Sequence, residues 1–142
     1  MKRNLLLIVV IIILIVVVVF AVSPRSYYSE VGDNPILQRL HQDLITLNPE
    51  YSVIPLRTGS SAYTENKSVI TICTHDPKTK KQYAHCVLQY VILHELAHMV
   101  SNEYGHGKQF QTNFKTILQA AVEKGIYDPN CSIPSDYCGI DN

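Results

Sequence analysis

The run Val91-Ile92-Leu93-His94-Glu95-Leu96-Ala97-His98-Met99-Val100 decides how the rest of the chain is read. It is apolar almost all round, as a helix buried on every side must be, and it carries two histidines four residues apart. At about 3.6 residues per turn that spacing stacks His94 and His98 on one face, where both rings reach a single cation. Glu95 lies about 100° round the helix from His94, close enough to hold a water on that cation without ligating it. Two imidazoles and a carboxylate in the order H-E-x-x-H are the parts needed for a zinc-bound water and its general base. A buried helix with two hydrogen-bonded histidines would fit the same five letters. Desolvating three polar side chains is costly, however, and one metal ion satisfies all three.

A catalytic zinc takes a third protein ligand and keeps one position open for water. Downstream lies Glu103-Tyr104-Gly105-His106-Gly107-Lys108-Gln109-Phe110, with His106 between two glycines. Glycine lets a helix stop and the backbone turn back sharply, so the chain can re-enter the site and present His106 from a loop. A third histidine six residues after His98, with Gly between, would need Gly and His where Ser101 and Tyr104 stand. His106 is therefore the expected third ligand. Its rivals are Glu123 on the following helix and Glu103 near the end of the first.

These residues resemble a known family. His94-Glu95-Leu96-Ala97-His98 followed by His106-Gly107 and Phe110 is similar to the WLM-type and SprT-like zinc metallopeptidases, small gluzincin-like proteins. From Ser61 to Gly139 the chain resembles more closely the metallopeptidase-like proteins of large nucleocytoplasmic DNA viruses. The similar pieces are Ala62-Tyr63-Thr64-Glu65-Asn66-Lys67, Ile70-Thr71-Ile72-Cys73, the H-E-L-A-H helix, Gly105 to Phe110, Gly125-Ile126-Tyr127 and Tyr137-Cys138-Gly139. The resemblance covers somewhat over half the chain. It implies one zinc held by His94, His98 and His106, with Glu95 as base. It also implies that the strand beside the active helix binds peptide in extended form. Some family members act on proteins crosslinked to DNA, which is not expected of a chain anchored in a membrane.

That anchor is the expectation for the amino terminus. Met1-Lys2-Arg3-Asn4 is a short cationic start, and Leu5 to Val22 is an unbroken apolar run. Eighteen residues at about 1.5 Å each reach about 27 Å, close to the roughly 30 Å of a hydrocarbon core. A cleaved signal peptide with Val19-Phe20-Ala21 at the cut is the alternative. The run exceeds the usual signal core of about 7–15 residues, and Pro24 sits beside the cut. Lys2 and Arg3 outweigh the lone Arg25, so the amino terminus is expected in the cytoplasm and the domain beyond a membrane of viral or host origin. The expected division is therefore 1–4 cytoplasmic, 5–22 transmembrane, 23–32 linker and 33–142 one metallopeptidase-like domain. Its fold class is expected to be α+β, a small zincin-like domain of a helix, short antiparallel strands, the H-E-x-x-H helix and a second packing helix.

Within that domain Asn34-Pro35 reads as a helix start, with Ile36, Leu37, Leu40, Leu44 and Leu47 at helical spacing until Asn48-Pro49. Ser52 to Leu56 reads as a short strand or edge. Lys67 to Thr74, alternating and β-branched, reads as a strand. After Gly107 a second helix carries Phe110, Phe114, Ile117, Leu118, Ala121 and Val122 on one stripe and ends at Gly125. Phe110 is expected to pack beneath the site. The net charge is zero, with 12 Lys and Arg against 12 Asp and Glu, and the Lys78-Thr79-Lys80-Lys81 run reads as a solvated turn. A nucleic-acid partner, which needs a wider basic face, is not expected.

Cys73, Cys86, Cys131 and Cys138 show no C-x-x-C spacing, so a structural zinc site is not expected. Beyond a membrane two disulfides are the natural reading, against four reduced thiols. Antiparallel packing of the two helices favours Cys86–Cys131 with Cys73–Cys138. The chemistry expected is peptide-bond hydrolysis on a protein or peptide substrate, with Glu95 as general base and Tyr63 or Tyr137 as an additional donor to the oxyanion. The alternative is a non-catalytic, zinc-stabilised module that binds a protein partner, though a purely structural site would not need Glu95.

Overall fold

Helix α1 (Pro35–Leu47) begins where its sequence provides both parts of an amino-terminal stop. The Asn34 side chain accepts from the amides of Ile36 (3.0 Å) and Leu37 (3.3 Å), and Pro35 has no amide to satisfy. Leu37, Leu40, Leu44 and Leu47 form its buried stripe. Burying each side chain is worth about 1.5–3 kcal/mol. The computed structural model describes residue 8, residues 11–14, residues 30–138 and residues 140–141.

Asn48-Pro49 repeats the same device one step later. Asn48 accepts from the Glu50 amide (3.1 Å) and starts a 3-10 helix, Pro49–Val53, where a strand or edge was expected from Ser52. The strand proper is β1 (Leu56–Thr58). The chain turns back through Gly59 into β2 (Tyr63–Glu65), then through Asn66-Lys67 into β3 (Val69–Ile72). Strand order is β1-β3-β2, with β1 parallel to β3 and β2 antiparallel to it. β3 is the central strand, shorter than the Lys67 to Thr74 run expected, and is buried at all four positions.

Beyond the sheet come α2 (His85–Val100), α3 (Lys108–Glu123), and the short antiparallel pair β4 (Asp136–Tyr137) and β5 (Ile140–Asp141). α2 is the hub of the core and packs on α3, β3, β2 and α1. Its buried Gln89 donates to Asp43 of α1 (2.9 Å), and His85 Nε2 lies 2.8 Å from the same carboxylate oxygen. Lys124, just past α3, donates to the terminal carbonyls of α1 at Leu47 (2.7 Å) and Thr46 (3.3 Å), which the helix leaves unpaired. Two disulfides, Cys73–Cys138 and Cys86–Cys131, fasten the tail to β3 and to the first turn of α2. This is the pairing that antiparallel helix packing favoured.

The fold class expected from the sequence is corrected on two counts. The domain is a small mixed α/β structure and its strands are not all antiparallel. β1 and β2 run opposite ways but stand one strand apart, and β3, antiparallel to β2, fills the gap parallel to β1. The most apolar strand thereby takes the most buried place. The second correction concerns the membrane. Among the described residues no helix is long and apolar enough to cross one. Ile8 and residues 11–14 are helical. The rest of 5–22, and the linker up to residue 29, lie outside the described residues. The single-pass anchor, the cytoplasmic amino terminus, the extracytoplasmic domain and the membrane as partner are therefore set aside.

Candidate metal centre

α2 turns one face to a cleft of about 410 Å³, and His94, Glu95 and His98 all line it. The helix ends at Ser101, whose hydroxyl donates back to the Ala97 carbonyl (2.6 Å) and accepts from the Asn113 amide of α3 (2.9 Å). The loop that follows is shaped by two glycines. Gly105 takes the left-handed conformation (φ 78°). At Gly107 an added Cβ would stand 2.6–2.9 Å from the Glu103 carboxylate. That carboxylate accepts the Phe110 amide (3.0 Å), an otherwise unpaired donor in the first turn of α3. Glu103 is thus occupied as a helix cap. Glu123 sits at the far end of α3, exposed, accepting from Gln119 (3.0 Å).

The loop returns His106 to the helix face. Its Nε2 lies 3.0 Å from that of His94 and 3.1 Å from that of His98, and the remaining pair is 3.2 Å apart. Among the described residues these three are the one group of His, Cys, Asp or Glu side chains spaced to share an ion. Neutral imidazole nitrogens each carry either a proton or a lone pair, so three cannot all satisfy one another. A cation at their centre takes all three lone pairs. A tetrahedral zinc with bonds of about 2.0–2.1 Å sets its nitrogens about 3.3–3.4 Å apart, near the observed triangle. The donor set therefore fits.

Burial, with the neighbouring His98 and His106, pushes His94 down to about 4, and burial, His106 and Lys67 lower His98 as well. Both rings are thus neutral at pH 7, as ligation requires. Phe110, 1% exposed, is the floor: its ring centroid lies 4.9, 4.3 and 4.7 Å from those of His94, His98 and His106. This is the packing role expected of it.

Glu95 is buried at 5% exposure, and burial raises its carboxyl to about 7 against a smaller opposing effect of Thr64. A cation in the histidine triangle would favour the ionised form and pull it back down. Thr64 of β2 places its hydroxyl 2.9 Å from both the Glu95 backbone carbonyl and Oε2, which fixes the rotamer of the carboxylate. Lys67 holds the other side of the site. Asn66 and Lys67 both take left-handed conformations (φ 49° and 53°) in the tight turn between β2 and β3. From there the Lys67 ammonium donates to the carbonyls of Ser101 and Glu103 (3.3 Å for the second), across the loop that carries His106.

The sequence attaches no site role to Thr64, or to Lys67, which reads there as the start of a strand. A three-residue strand gives no periodicity to find it by. The hint available was Asn66, a residue tolerant of the left-handed turn. The two tyrosines separate clearly. The Tyr137 hydroxyl is buried and committed to Cys73, accepting its amide (3.1 Å) and donating to its carbonyl. Tyr63 is 48% exposed at the rim of the same cleft.

The arrangement defines a class of site: a three-histidine cluster able to hold one metal ion, with a buried carboxylate beside it in an open cleft. No protein-family model matches the chain, and no solved structure matches it. Similar proteins are viral. The chain is 38% identical over 79 residues to the uncharacterized protein 042R of Invertebrate iridescent virus 3, a stretch covering 56% of this chain and 50% of that protein. It is 37% identical over 87 residues to the uncharacterized protein 136R of Invertebrate iridescent virus 6, covering 60% and 49%. Against the uncharacterized protein R325 of Acanthamoeba polyphaga mimivirus it is 31% identical over 74 residues, covering 50% and 37%. The chain thus spans about half the length, or less, of the relatives it matches.

Proposed function

We propose that this chain is a zinc-dependent endopeptidase whose ligands are His94, His98 and His106 and whose general base is Glu95. The observation that carries the reading is the coincidence of the histidine triangle with a buried carboxylate that stands outside it. Glu95 lines the same cleft and its carboxylate is held by Thr64, which leaves a base beside the ion site. Zinc bound by the triangle would polarise a scissile carbonyl and acidify a water. Glu95 takes the proton of the attacking water at its carboxylate and returns it to the departing amine nitrogen. Thr64 keeps the carboxylate in one rotamer through both transfers. Tyr63, at the rim and uncommitted, is the side chain able to donate to the developing oxyanion, whereas Tyr137 would first have to abandon Cys73. The Phe110 floor, packed against all three rings, keeps the triangle in one geometry.

A non-catalytic binding module would need the triangle and the cleft but not a buried carboxylate, which is expensive to keep ionised. The test is hydrolysis of an unstructured protein such as casein by the purified full chain. Cleavage is expected with one equivalent of zinc, its loss in a chelator, and its return when zinc is restored. Zinc binding without cleavage of casein or of a broad peptide mixture would leave the module as the reading.

A further inference from the structure

The loop between the second and third histidines is held from two sides. On the side of α3, Gln109 accepts from the amides of Asn102 (2.8 Å) and Glu103 (3.4 Å), and Gln111 donates to the His106 carbonyl (3.3 Å). On the side of the sheet the hold is Lys67. Its ammonium donates to the carbonyls of Ser101 and Glu103 and lies 5.1 Å from the centroid of the Tyr104 ring. All three partners stand between His98 and His106 in the chain. The two carbonyls lie at and just past the end of α2, where a helix leaves acceptors unpaired and its dipole is negative. Tyr104 is 91% exposed, so its ring face is an open seat for a cation.

Lys67 reaches this place from a turn that is left-handed at both Asn66 and Lys67, and the register of β2 against β3 fixes that turn. Thr64, three residues earlier, holds Glu95 of α2. One hairpin thus clasps the helix twice, at the carboxylate and at the loop that brings the third histidine. A lysine is an unfavourable choice beside a metal ion. Lys67 lines the same cleft as the histidines, and a positive charge there repels a cation. Its two effects therefore have opposite signs. Acting through charge alone, its removal would tighten metal binding. Acting through the loop, its removal weakens binding, because a loop that spends time open presents the third ligand for only part of that time.

We propose that Lys67 is a positioning residue that latches the loop from Ser101 to Gly107 onto the β2–β3 hairpin, keeping His106 in the triangle before a metal arrives and so setting the affinity of the site. The effect on affinity rests on the zinc reading, whereas the latch itself is tested without a metal. Amide hydrogen exchange across 101–107 is measured on the metal-free full chain and on Lys67→Met and Lys67→Arg, and zinc affinity by competition with a chromogenic chelator. Met keeps an unbranched stem and loses every donor, while Arg keeps the charge and the donors. Losing charged hydrogen bonds should speed exchange in the loop and weaken zinc by roughly tenfold in Lys67→Met, with most of the loss recovered in Lys67→Arg. Tyr104→Ala, at an exposed position, removes the ring alone and should weaken zinc by about two- to fivefold. The melting temperature of each metal-free variant should change little, which separates positioning from unfolding. Unchanged loop exchange and zinc affinity in folded Lys67→Met overturns the latch. Tighter zinc in that variant overturns it too and leaves Lys67 acting by charge alone. Faster loop exchange in Lys67→Met with no zinc bound by the wild type sinks the zinc reading and leaves the latch standing.

Discussion

Glu95→Gln is expected to keep zinc and fold while lowering kcat at least about a hundredfold. General-base assistance is typically worth about 10²–10⁴-fold, and Gln cannot accept a proton at neutral pH. The substitution is close to isosteric. Its amide oxygen can still accept from the Thr64 hydroxyl, now 2.9 Å from Oε2, so the side chain stays where it is. Because the loss falls on the step and not on substrate binding, kcat and kcat/KM should drop together with KM little changed. The histidines are untouched, and zinc content with melting temperature in zinc should match the wild type. Steady-state kinetics on one cleaved peptide, with metal analysis of the same sample, checks all of this. A fall of less than tenfold would remove Glu95 from the chemistry.

Opening the Cys86–Cys131 bond is expected to have a large effect on stability. The bond closes a loop of 45 residues and the other a loop of 65. By the chain-entropy relation each restricts the unfolded chain by about 4 kcal/mol. Besides the two bonds, side chains hold the segment between them, Tyr137 on Cys73 and Asp136 on Lys78, while β4 pairs with β5 and not with the three-stranded sheet. Cys86→Ser with Cys131→Ser should therefore lower the melting temperature by roughly 10–20 °C for a domain of this size. Calorimetry of the double variant beside the wild type is the measurement. A shift below about 3 °C would mean that the Cys73–Cys138 bond and the hydrogen bonds of Tyr83 and Tyr137 hold the tail without it.

Local signals carried far where one residue type has one cheap explanation. The four-residue spacing of His94 and His98 places them on one helix face whatever surrounds the helix. The glycines beside His106 announce a loop that turns, and the structure brings that histidine to the other two. Asn34-Pro35 marks a helix start for the same reason. Properties that depend on distant partners were not legible. Nothing in Leu56-Arg57-Thr58 says that its neighbour will be β3 rather than β2, so the parallel pair was missed. Thr64 meets Glu95 across 31 residues of sequence, and Glu103 looks like a possible ligand until its carboxylate is seen capping α3. Asn48-Pro49 was read as a stop, whereas its side chain also begins the next turn of helix. The apolar run at the amino terminus fits a spanning helix by composition alone, and no described helix has the length that a span demands.

The central claim is that three histidines hold one zinc. The most direct measurement is zinc per chain, by elemental mass spectrometry, on the full chain and on His94→Ala, His98→Ala, His106→Ala and Glu123→Ala after equal dialysis. Three protein ligands with an open position are what a catalytic zinc site is built from, so removing any one should release most of the metal. The account predicts one zinc in the wild type and in Glu123→Ala, and little in each histidine variant. Full zinc in His106→Ala together with its loss in Glu123→Ala would contradict it and hand the third position to the glutamate at the end of α3.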